Sequence, residues 1–314
     1  MQQSMRFVFP ILALLPILAL LMPIAAMSMP ADAPKLLTWP DLTKREQPKP
    51  DATIAYGEDN LQKVDVWLPA DADRKGKSFP TVLMVHGGCW TTSIADRSLM
   101  NWIANDLRKS GIAVWNIDYR GVDRTGGGYP GTFHDAAHAA DALNANVAKY
   151  HLDTRHIVAV GHSAGGHLAL WLAGRSKLPK TSPLYSAKPL KIAHVISLGG
   201  LPDLEATAAS PDNGCGVAVV AQLVGTPSPT RKDVYADTSV PRLLPLHVPQ
   251  DLVNGAEDRI IPLRLGTGYE AQAKKAGDRI ALHVVPATGH VELIAPESAA
   301  WAESKRLISA ALKR

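Results

Sequence analysis

Apolar positions along this chain follow two patterns. Short, nearly continuous runs such as Phe79-Pro80-Thr81-Val82-Leu83-Met84-Val85, Ile112-Ala113-Val114-Trp115-Asn116-Ile117 and His156-Ile157-Val158-Ala159-Val160 read as strands buried on both faces. Between them lie longer stretches of helix-compatible composition, among them the alanine-rich segment after Asp135 and His167-Leu168-Ala169-Leu170-Trp171-Leu172-Ala173. The pattern predicts strands at 61–68, 80–86, 112–118, 155–161, 192–199, 250–255 and 280–286. Helices are predicted at 96–109, 132–149, 164–174, 263–276 and 297–312. Strand and helix alternate, which is the order of a mostly parallel sheet with helices on both faces, and such sheets take their ligands at the carboxyl ends of the strands. The Pro/Gly-rich segment from Leu201 to Val248 interrupts the alternation after a strand and is expected to form a small cap that shapes the substrate pocket.

The first residues follow a different logic. Arg6 precedes an uncharged apolar stretch from Phe7 to Ala26, and Ala25, Ala26 and Ser28 are the small residues a signal peptidase needs. Residues 1–28 are therefore expected to be an export signal, giving a periplasmic or secreted protein. The stretch is nearly long enough to span a bilayer, so an uncleaved anchor stays open as the alternative, and contact with a membrane is expected only in that case. Residues 29–52 carry Pro30, Pro34, Pro40, Pro48 and Pro50 among polar residues and read as an extended linker, leaving 53–314 as one domain. With 46% hydrophobic residues, 20% charged residues and a net charge of +4, the chain has the composition of a globular protein. No basic block interleaved with aromatics is present to follow a phosphate backbone, so nucleic acid is not an expected partner.

Candidate chemistry is concentrated at four strand ends. Gly161-His162-Ser163-Ala164-Gly165 sits between a strand and a helix, where a G-x-S-x-G turn lifts its serine onto a strained elbow; Ser163 is the candidate nucleophile. Upstream, His86-Gly87-Gly88-Cys89-Trp90 ends another strand. Its glycines let backbone N–H groups approach a developing negative charge, so the N–H groups of Gly88 and Cys89, with that of Ala164, are the candidate oxyanion donors. Asp258 follows the strand ending at Gly255 and is the candidate triad acid, with Glu257 as fallback. His290, in a loop just past the strand at 280–286, is the candidate general base, whereas His86 and His162 read as scaffold. Trp90 is a candidate substrate-binding side chain; Trp171 is read as core or lining. The cysteines lack zinc-ligand spacing and the glycines at 126–128 lack a phosphate-loop lysine, so no metal and no cofactor are expected.

The order Ser163, Asp258, His290 resembles that of the α/β-hydrolase superfamily, and the His-Gly-Gly-x-Trp turn resembles the carboxylesterase branch that includes arylformamidase-like enzymes. Asn116-Ile117-Asp118-Tyr119-Arg120-Gly121 resembles the strand-end Asp-Tyr-Arg of the same esterases, and the likeness spans roughly positions 55 to 313. The resemblance implies an α/β-hydrolase fold and a serine hydrolase acting on a small ester through an acyl-enzyme. An arylformamidase or other amidase with the same triad, and a non-catalytic binding protein on a hydrolase fold, remain the alternatives. Cys89 and Cys215 are the only cysteines; in an exported chain a disulfide between them would pin the loop of Cys215 beside the oxyanion turn, and two free thiols are the other outcome.

Overall fold

The computed structural model describes residues 35–70 and 76–313. The expected export signal at 1–28 lies outside the described residues, among which no helix is long and apolar enough to cross a membrane. The strands are β1 (Ala52–Ala55), β2 (Lys63–Trp67), β3 (Phe79–Val85), β4 (Ala113–Ile117), β5 (Leu152–His162), β6 (His194–Leu198), β7 (Gln250–Gly255) and β8 (Ile280–Val285). They form one sheet in the order β1-β2-β4-β3-β5-β6-β7-β8. β1, β2 and β4 pair antiparallel in sequence, and every pairing from β4 across to β8 is parallel. This is the mostly parallel sheet that the strand–helix alternation predicts, and it agrees with the α/β-hydrolase fold that the resemblance implies.

The helices are α1 (Trp39–Thr43), α2 (Asn101–Lys109), α3 (Gly131–Tyr150), α4 (Ala164–Gly174), α5 (Leu204–Ala208), α6 (Val217–Val224), α7 (Leu263–Lys275) and α8 (Ala299–Leu312). Side chains alternate across each parallel strand, so every strand feeds two cores. Leu83, Val85 and Ala159 pack with α3, α4 and α7 on one face, while Val82, Met84, Val158 and Val160 pack with α2 and α8 on the other. The strands are apolar in both registers because neither face meets water. β5 is longer than expected at its start, and the helix expected at 96–109 opens as a 3₁₀ turn at Arg97–Met100, capped by the Asp96 side chain on the Ser98 N–H.

The segment expected to be a linker differs most from its sequence reading. From residue 35 it is a strap bound to the domain, with Leu42 of α1 fully buried. Trp102 Nε1 donates to the Glu46 carbonyl at 3.1 Å, Asn101 Nδ2 to the Pro48 carbonyl at 3.1 Å, and Arg45 Nη1 to Glu297 at 2.8 Å. Pro40 lies in the first turn of α1, where its missing N–H costs nothing, so the segment is not extended throughout. Beyond the helix the Glu46 and Pro48 carbonyls are free of any ladder, and side chains of α2 take them up. The segment after β6 carries the short helices α5 and α6, in the place where a cap was expected.

Candidate active site

β5 runs straight into α4 with Ser163 as the single residue between them. Its backbone is held at φ 54°, ψ −122°, a strained conformation that persists only where the surroundings over-determine it. Two bonds do so: the Ser163 N–H donates to the Leu198 carbonyl at 2.8 Å, and its carbonyl accepts from the Gly166 N–H at 2.8 Å. The turn also requires backbone to lie on backbone. A Cβ on Gly165 would sit 2.2 Å from the Val85 carbonyl oxygen, and one on Gly161 would sit 2.0 Å from the Gly165 oxygen. Both glycines of the motif are therefore packing requirements for bringing one serine to the wall of a cavity.

Asp258 follows β7 and His290 follows β8, two adjacent parallel strands, so both loops emerge at the same edge as the serine elbow. Asp258 Oδ2 accepts from His290 Nδ1 at 2.7 Å, with both side chains nearly sealed from solvent at 3% and 1% exposure. Its Oδ1 accepts the N–H groups of Ile260 and Ile261 at 2.8 and 2.9 Å. The carboxylate thus holds its own loop with one oxygen and the imidazole with the other. Glu257, the fallback acid, is exposed, and what it contributes is a backbone N–H to the Thr288 carbonyl. His162 packs against His290 with ring centroids 4.4 Å apart and donates from Nε2 to the His290 carbonyl at 3.2 Å. Complete burial, together with the neighbouring imidazole, pushes its pKa well below the ordinary histidine value, so it stays neutral and serves as a strut.

The turn after β3 carries three successive residues at positive φ: Gly88 at 98°, Cys89 at 52° and Trp90 at 53°. The N–H groups of Gly88, Cys89 and Ala164 make no hydrogen bond among the described residues, which leaves them available to an oxyanion. A buried network holds the turn from behind. His86 stacks on Tyr119 at 4.3 Å and bonds Asp118 through Nε2 at 3.0 Å; the Tyr119 hydroxyl donates to the His86 carbonyl at 3.0 Å. Arg97 joins Asp118 at 2.8 Å and Asp65 at 2.9 Å. Arg120 clamps Asp135 of α3 through Nε at 2.7 Å. The Asp-Tyr-Arg segment therefore braces the turn after β3. Cys89 and Cys215 are joined in a disulfide, with Cα atoms 5.2 Å apart, and the bond ties the turn to the loop before α6.

Ser163, His290, Gly88 and Cys89 line one cavity of about 340 Å³. Trp90, expected at the substrate, does not line it. Its side chain is fully buried, and its indole donates to His167 Nδ1 at 3.2 Å, because positive φ at both Cys89 and Trp90 turns the ring away from the cleft. Trp171 is core as well, donating to the Asp237 carbonyl at 2.8 Å. The aromatic at the cavity is Trp39, from the strap, whose ring meets the His162 and His290 rings edge-on at 6.2 Å each. Ile94 and Leu99 supply the apolar wall, and the segment between β6 and β7 reaches the cavity through Gly214. Trp39 lay in a stretch without apolar periodicity, so the pattern carried no signal for it. A lone tryptophan in the segment read as a linker was the one available cue.

The family model described as BD-FAE matches residues 64–271. Among curated proteins, esterase LipC of Mycobacterium tuberculosis is 26% identical over 246 residues, covering 76% of this chain and 58% of that protein, so the match spans little more than half of the relative's length. Among solved structures, a truncated carbohydrate esterase from gut microbiota superposes with TM-score 0.68 at 18% identity, covering 86% of this chain and all of that one. Esterase B of Lactobacillus rhamnosus superposes with the same score at 18% identity, over 85% of this chain and 89% of that one. These structures share the fold.

Proposed function

The chain belongs to the BD-FAE family within the α/β-hydrolase superfamily, and from that premise we propose that it is a serine carboxylester hydrolase acting on small esters. Ser163 Oγ attacks the ester carbonyl carbon while His290 Nε2 takes its proton, and Asp258 steadies the resulting imidazolium. The carbonyl oxygen becomes an oxyanion held by the Gly88, Cys89 and Ala164 N–H groups, each worth about 3 kcal/mol of transition-state stabilisation. Collapse expels the alcohol with the proton from His290, and water activated by the same imidazole hydrolyses the acyl-serine. This sequence needs no metal and no cofactor. The observation that carries the reading is the 2.7 Å bond between His290 Nδ1 and a carboxylate already anchored by two backbone N–H groups, in a cavity shared with an elbow serine. Export through residues 1–28 is part of the proposal. The Cys89–Cys215 bond supports it, because such bonds persist in oxidising compartments.

Hydrolysis of p-nitrophenyl esters of increasing acyl length, beside an N-formyl aromatic amine, tests the reading. Short esters are expected to turn over, and Ser163→Ala is expected to lower kcat by about 10³-fold or more with the fold intact. Unchanged turnover in that variant would refute the serine assignment, and faster cleavage of the formamide would replace the ester by an amide.

A further inference from the structure

The strap formed by residues 35–51 lies outside the stretch matched by the family model, yet it supplies Trp39 and Thr43 to the wall of the cavity. It is held there firmly. Thr38 and Asp41 close a capping box on α1, Leu42 is buried, the Leu37 N–H donates to Glu292, and Arg45 pairs with Glu297. Glu292 also accepts the Gly289 N–H at 3.0 Å, so the strap and the loop of His290 share one carboxylate.

Behind the strap lies a second cavity of about 300 Å³, lined by Leu36, Leu37, Pro40 and Val291. It shares four residues with the first: Trp39, Arg259, Ile260 and His290. His290 belongs to the triad, and Arg259 and Ile260 follow Asp258 on the acid loop, so the strap's contribution to the partition is the Trp39 indole. The position of that partition relative to the reaction is set by proton transfer. His290 must protonate the departing alcohol oxygen, so the alcohol half of the ester lies on the imidazole's side, where the Trp39 ring meets the His290 ring.

We propose that Trp39 is the specificity-determining residue for the leaving group: its indole closes the site from the second cavity and so limits the size of the alcohol the enzyme accepts. The proposal rests on the esterase reading. It makes the strap part of the substrate site and places a largely apolar chamber one side chain away from the chemistry.

The test uses the whole chain and two ester series. One holds a butyryl group and lengthens the alcohol from ethyl to octyl; the other holds p-nitrophenol and lengthens the acyl chain. Trp39→Ala is expected to raise kcat/KM for octyl over ethyl butyrate about tenfold or more relative to wild type, the scale of a few methylenes admitted to an apolar pocket. The acyl-chain profile is expected to keep its shape, and Trp39→Phe to fall between. An unchanged alcohol profile in an active Trp39→Ala variant would overturn the proposal, as would a shift in acyl preference instead. A uniform loss of kcat across both series, with wild-type thermal stability, would likewise overturn it and leave Trp39 a positioning residue for His290. Absence of Ser163-dependent turnover in the wild type would instead overturn the esterase reading beneath it.

Discussion

At position 258 one carboxylate holds two structures, its own loop through Oδ1 and the imidazole through Oδ2. Asp258→Asn separates these tasks. The amide oxygen is expected to keep the Ile260 and Ile261 N–H groups, which turns the NH₂ toward His290 Nδ1. That imidazole nitrogen must then accept, which moves the ring proton to Nε2 and leaves no lone pair for the serine. The expected result is a fall in kcat of about 10⁴-fold with a melting temperature close to wild type, read by steady-state kinetics and calorimetry. Wild-type kcat in this variant would remove Asp258 from the triad. That Asp258 meets His290, and that His290 and Ser163 line one cavity, was legible in the sequence because each residue sits in a turn whose composition is dictated by geometry: small residues where backbones touch, a loop histidine past a strand. Trp90 was misread for the same kind of reason, since adjacency to the oxyanion turn says nothing of which way a residue at positive φ points its side chain.

The elements split between those with a period and those without. The parallel strands and long helices were legible because burial on both sheet faces imposes continuous apolar runs, and the match at α4 and β7 is residue for residue. β1 was not, being a four-residue edge strand with alternating exposure, and the strap was not, because the apolar side chains that it packs on the core, Leu37, Trp39 and Leu42, are too few to show a period and its other anchors are backbone carbonyls. The link between the oxyanion turn and the loop before α6 is covalent and closes a separation of 126 residues. Chain-entropy arguments put a loop of that length at about 5 kcal/mol, acting mainly on the unfolded chain, and disulfides typically deliver about 2–4 kcal/mol. Replacing Cys89 and Cys215 together by alanine is expected to lower the melting temperature by roughly 10 °C, about 2–4 °C per kcal/mol in a domain of this size. A melting temperature within a degree of wild type would show that the loop is held by its packing alone.

For the molecule as a whole, two neutral histidines set a limit on the acid side. His167 is wholly buried between the Trp90 indole and the Thr238 carbonyl, and burial pushes its pKa down to about 4; His162 is lowered for the same reason. Both are protonated more readily in the unfolded chain. Their contribution to stability is therefore complete above about pH 6.5 and is lost as pH falls toward 4, by up to about 1.4 kcal/mol per pH unit for each. Melting temperatures measured from pH 8 to 4 are expected to hold steady and then drop below 6.5, with His167→Gln flattening part of the decline; a profile level down to pH 4.5 would contradict this. The strap has a practical consequence for anyone handling the protein. The family match begins at residue 64, and a truncated chain begun there would lack Trp39 and Thr43 of the cavity wall and the partners of Glu292 and Glu297, so kinetic constants from such a preparation would describe a different site.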